Sequence, residues 1–135
     1  LRGIQKIWGP TDVYTMRQPF PPENDVILLG EVLAGMNPTD PLVTGEKNSP
    51  MMPVAWTRTY RYENGKPGRA FTTTMGSAKD FEDESYRRLL VNATYWLLGM
   101  EKKITPKLDV AIVGNYNPTM FGFDGFRKGL RPEDF

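Results

Sequence analysis

The sequence predicts an α/β domain. Three observations carry that expectation: two stretches rich in β-branched and aromatic residues joined by a glycine-containing turn, one long segment of helical period, and a continuous aliphatic run ahead of both. The two stretches are "VAWTRTYRY" at 54–62 and "RAFTTTM" at 69–75, with "ENGKPG" between them. Such side chains suit a pleated, half-buried surface and Asn-Gly reverses the chain, so these residues predict a hairpin. Within the threonine run, Thr72 and Thr74 are expected on one face and Thr73 on the other. In "DFEDESYRRLLVNATYWLLGM", Tyr86, Leu89, Leu90, Ala93, Trp96 and Leu97 recur at helical spacing, which predicts a helix over about 84–98. Glu82, Asp83 and Glu84 suit the positive end of the helix dipole, with Asp83 expected as the N-cap and Gly99 as the C′ residue. The aliphatic run "VILLGEVLAG", 26–35, reads as a buried strand or a short helix, and Val26 and Ile27 favour the strand. "DVAIVG" at 109–114 predicts one more strand, giving a mixed sheet that bears the hairpin and is covered by the helix.

The remaining segments read as loops and extended pieces. "IQKIWGPTDVYTM" predicts extended chain around a Gly-Pro-Thr-Asp bend, and "PFPPEND" a breaker loop. "MNPTDPLVTGEKNSPMMP", 36–53, is the longest irregular segment, with Met51 and Met52 expected to fill gaps in the core. After residue 114 the chain becomes rich in glycine, aromatic and charged residues without a period, and 115–135 is expected to run as an extended arm over the domain.

Composition narrows the chemistry. At 135 residues the chain has the size of one domain, able to bury about two-thirds of the surface its unfolded form exposes. Seventeen basic and 16 acidic residues nearly balance, and no block of like charges points to nucleic acid. With no cysteine and no histidine, thiolate nucleophiles, Cys-based metal sites and a Ser-His-Asp triad within this chain are excluded. No apolar run approaches the length of a membrane span, no metal ligand set stands out, and no cofactor is indicated. The chain begins at Leu1 with no targeting feature, so it is expected to be a fragment of a longer domain.

Five residues stand out as candidate ligand contacts. Ser77 lies in "TMGSAKD", between a strand and a helix, where open α/β sheets bind ligands. The surroundings do not match G-x-S-x-G and no histidine activates the hydroxyl, so a turn-capping or ligand-contacting role is favoured over a nucleophile. Asp80 opens an acidic cluster with Glu82, Asp83 and Glu84, whose ordinary purpose at a helix start is capping. Asp12 sits among Trp8, Tyr14 and a turn, a mixture found in pockets for sugars and small polar ligands as well as in plain turns. Trp56 and Arg58 are two apart on one strand and share a face, with Arg69 on the partner strand expected near them; an indole beside a guanidinium can hold an anion or a sugar, or simply stack. Phosphate-loop patterns are absent, and "GFDGFRKG" lacks the strand-to-helix context of one.

The ordered set "PVAWTRTY", "GRAFTTTMG" and "DFEDESYRRLLVNATYWLLG" resembles the ThuA-like (trehalose-utilisation) family, whose domain is similar to class I glutamine amidotransferases. The corresponding residues are Pro53, Val54, Trp56 and Thr57; Gly68, Arg69, Phe71, Thr73 and Gly76; and Arg87, Arg88, Leu89, Leu90, Asn92, Trp96, Leu98 and Gly99. The resemblance implies a flavodoxin-like α/β sandwich, with residues 1–114 as the C-terminal part of the domain and 115–135 as a tail. "PMMPVAW" and the long tail look like the version in secreted planctomycete-type proteins, which implies a secreted or periplasmic setting. It also implies a role in carbohydrate metabolism, with a sugar or similar polar ligand near the strand ends. Where the family commonly has Gly-His, this chain has Gly76-Ser77, so the base of the amidotransferase triad is missing at that position. Two other readings stay open: a sugar-modifying or hydrolytic enzyme whose other catalytic groups lie upstream, and a noncatalytic structural or interaction domain.

Overall fold

The computed structural model describes residues 1–134; Phe135, the last residue of the expected tail, lies outside them. The architecture is a three-stranded antiparallel sheet with one α-helix packed on it. Strands β1 (Asp25–Gly30), β2 (Met52–Arg61) and β3 (Pro67–Thr73) lie in the order β1-β2-β3. The expected hairpin is β2 and β3, in unbroken register from Ala55 opposite Thr73 to Arg61 opposite Pro67. Its turn places Asn64 at φ 55°, and the Gly65 N–H donates to the Tyr62 carbonyl at 2.8 Å.

The first half of the aliphatic run forms a strand, β1, pairing with β2 through two register shifts around Leu28, while 31–35 turn away into the following loop. Among the described residues the sheet is wholly antiparallel rather than mixed. A parallel partner needs a long crossover, usually helical, whereas the segment between β1 and β2 folds back on itself. Leu33 bridges Leu42, and Asn48 clamps the loop by accepting from Val32 N (2.7 Å) and donating to the Val32 and Val43 carbonyls. Met51 and Met52 end half-buried beside this loop rather than in the core.

The second correction concerns 109–114, which forms no strand. Its approach is fastened to the helix instead of to a sheet edge: Arg87 Nε donates to the Val110 carbonyl and Arg88 Nη1 to the Leu108 carbonyl, both at 2.8 Å. Val110 is buried by this, while Val113 is 97% exposed.

Helix α1 (Glu84–Leu97) forms where its period predicts. Asp83 caps it, accepting from Tyr86 N at 2.9 Å, and at the other end Gly99 takes φ 70°. Gly99 N donates to Trp96 O and Met100 N to Tyr95 O, the paired bonds of a Schellman stop, which glycine makes without Cβ strain. Tyr86 and Leu89, 1% and 2% exposed, pack on Ala55 of β2, with Ile27, Phe71, Met75 and Phe81 around them. Leu97, expected on the apolar stripe, instead remains exposed at the last turn. The tail does not cover the domain. Phe121, Phe123 and Phe126 stay exposed, Phe121 and Phe123 edge to face on each other, and the anchoring bond runs from Tyr116 OH to the Ala78 carbonyl at 2.6 Å.

Candidate functional site

The turn between β3 and α1 is built around one carboxylate. Residues Ala78–Glu82 form a short 3-10 helix with Ser77 as its N-cap; Ser77 Oγ accepts from Lys79 N at 3.2 Å, and Asp80 reaches back to accept from Ser77 N at 3.0 Å. This is the reciprocal arrangement of a capping box. Asp80 is wholly buried, and its Oδ2 also accepts from Gly76 N at 2.9 Å. The Thr11 hydroxyl donates to the same carboxylate, 2.8 Å from Oδ1 and 3.0 Å from Oδ2. Buried carboxylates are tolerated when donors surround them, and here three converge on one. Gly9 passes close beside it: a Cβ there would stand 3.3 Å from Asp80 Oδ1 and 2.8 Å from Met75 Cε, the end of a flexible side chain that would have to shift.

Asp83 makes a second fastening. One oxygen caps α1 and the other accepts from Trp8 N at 3.1 Å, so residues 8–11 are strapped to the helix start by two acidic side chains three apart. The acidic cluster that the sequence presents as helix capping therefore also holds the N-terminal segment. Asp12, next in the chain, is exposed, and its carboxylate makes no hydrogen bond among the described residues. Ser77 Oγ accepts one bond and keeps its own proton for a further partner.

Trp56 and Arg58 are not brought to this turn. They lie opposite Thr72 and Ala70 on the sheet face turned away from α1, where Phe20 meets Trp56 edge to face at 5.2 Å and Arg58 is exposed. Arg69 is opposite Thr59, on the other face, so its expected nearness to Trp56 and Arg58 is corrected by strand parity. Its guanidinium sits 5.0 Å from the centre of the Trp96 ring and pairs with Glu101. Tyr116 is the contributor sequence reasoning missed: it bonds to the same turn from 38 residues away. A lone tyrosine in a tail without period carries no signal of that contact.

Tyr86 lies beneath the turn, its hydroxyl donating to the Met75 carbonyl at 3.1 Å. Burial, with the Asp80 charge adding to it, raises this phenol above its ordinary value. The folded state therefore holds the proton more tightly than the unfolded one. The stability this contributes is fully present below the unfolded value, about pH 10, and is lost as pH rises through the folded value. Urea titrations of the native chain and Tyr86→Phe are expected to show a steeper alkaline fall for the native protein; parallel curves would contradict it.

No group of three or more side chains able to hold a metal ion occurs among the described residues, and none of their helices is long and apolar enough to cross a membrane. Compared with family models, curated proteins and solved structures, the chain finds no match in any of the three.

Proposed function

We propose that the chain carries part of a ThuA-like, flavodoxin-like domain with a carbohydrate-related role, and that it binds a sugar or similar polar ligand at the turn after β3. The observation that carries this is the meeting of two distant segments on that turn, Thr11 on Asp80 and Tyr116 on Ala78, beside the capping Ser77. Asp12, next to Thr11 in the chain, is exposed with its carboxylate free to accept from ligand hydroxyls, the Ser77 hydroxyl is free to donate, and Tyr116, 42% exposed, offers an aromatic face of the kind sugars stack on. Further support comes from where the family-like segments fall. "PVAWT" lies in β2, "GRAFTTTMG" runs through β3 into the turn, and "RRLLVNATYWLLG" forms α1 and its stop.

Asp80 has a positioning role in this proposal. With three donors on its carboxylate it organises the loop, leaving Asp12 and Ser77 to meet the ligand. Calorimetric titration of the 135-residue chain with disaccharides and their oxidised forms tests the reading. Binding is expected, weakened roughly tenfold in Asp12→Ala and in Ser77→Ala, as loss of one hydrogen bond to a polar ligand implies. Absence of heat with every sugar, or curves for both variants identical to that of the native chain, would overturn it.

A further inference from the structure

A groove of about 280 Å³ opens between α1 and the sheet, away from the turn after β3. Its walls are Ile27, Phe71, Leu89, Ala93 and Trp96, two of them aromatic. An apolar cavity of about 150 Å³ already accepts a benzene ring, so this one has room for a substituted ring. Of the charged groups at its rim, Glu101 pairs with Arg69, while Arg2 Nη1 donates to the neutral Ile104 carbonyl at 2.8 Å and keeps its charge. Between Ile27, Phe71, Leu89 and Ala93 the interior is apolar, and a charged group seated there would lose its water.

One polar side chain in the wall is incompletely satisfied. Asn92 is 92% buried, the complement of its 8% exposure, and its Nδ2 donates to the Arg2 carbonyl at 3.0 Å. Its Oδ1 has no partner. A buried acceptor without a donor is costly, and native structures rarely leave one so. We propose that the groove binds a small uncharged ring compound bearing one hydrogen-bond donor, of the class of phenols and cyclic alcohols, with that donor on Asn92 Oδ1. In the empty groove Oδ1 stands almost wholly out of solvent contact, so the carboxamide turns slightly about its last bond to meet the ligand, a torsion that is broad in asparagine. The ring then lies against Phe71 and Trp96.

The test is an NMR titration of the ¹⁵N-labelled 135-residue chain with p-cresol and, separately, with 4-methylanisole, which keeps the ring but has its donor methylated. Saturable shifts are expected at the Trp96 indole and the Asn92 side-chain amide, with p-cresol binding roughly fivefold more tightly, the effect of one neutral hydrogen bond. Ala93→Leu fills the groove and is expected to abolish both titrations. Asn92→Leu removes the preference while leaving methylanisole binding. Equal affinities, shifts centred elsewhere, or an unaltered titration in Ala93→Leu would overturn the proposal whether or not Asn92→Leu folds. Shifts of the same resonances with protein concentration alone would also overturn it, assigning the groove to a second copy of the chain.

Discussion

Asp80→Ala is expected to destabilise the chain by about 3–5 kcal/mol, the range for removing one side of a buried, charge-assisted network. The substitution removes the acceptor shared by Gly76 N, Ser77 N and the Thr11 hydroxyl at a fully buried position, and alanine supplies none in its place. A loss of that size is a large part of the roughly 5–15 kcal/mol that holds a domain together. Asp80→Asn separates charge from shape. Its oxygen can still receive the two backbone N–H groups while its amide donates to Thr11, whose hydroxyl reverses from donor to acceptor. It is therefore expected to cost less than half as much. Urea denaturation checks the order, and hydrogen exchange checks the place: Gly76 and Ser77 amides should lose protection in Asp80→Ala ahead of the β2–β3 ladder. Equal stability of Asp80→Ala and the native chain would refute the account.

Leu89→Ala is expected to cost about 3 kcal/mol, within the range for deleting a buried leucine side chain. Leu89 is 2% exposed at the centre of the contact between α1 and β2, where its neighbours are the rigid backbone at Ala55 and the large ring of Tyr86. Neither can move in to fill the space, so the cavity term persists. Leu89→Met keeps most of the volume on a flexible stem and is expected to cost under about 1.5 kcal/mol. Thermal unfolding of the two variants gives the comparison, and equal midpoints would show that the site collapses around the deletion.

Local chemistry made the hairpin and the helix legible. Asn64-Gly65 marks a reversal through its own backbone preferences, and Asp83 and Gly99 mark helix ends because capping is settled within a few residues. The misses came from contacts whose partners are distant. "DVAIVG" has strand composition, yet a strand exists only where a neighbouring edge receives it, and Arg87 and Arg88 take the carbonyls at 108 and 110 instead. Arg69 was displaced by one residue of register, which moves a side chain through the sheet. Of the candidate site, Ser77 and Asp80 do share a turn, whereas Trp56 and Arg58 belong to the other sheet face. Thr11 as the third partner of Asp80 was not readable, because nothing local relates residues 69 apart.

The two carboxylates that strap residues 8–11 to the helix start also bear on the order in which the chain assembles. Trp8 and Thr11 meet acceptors 75 and 69 positions away, whereas the hairpin and α1 form from neighbours. Closing so long a loop costs entropy before any bond repays it. The acceptors, moreover, acquire their positions only once the capping turn has formed on β3 and α1 has begun. The strap, only half-buried along residues 7–11, is therefore expected to close last on folding and to open first, an order that hydrogen exchange at Trp8 would report.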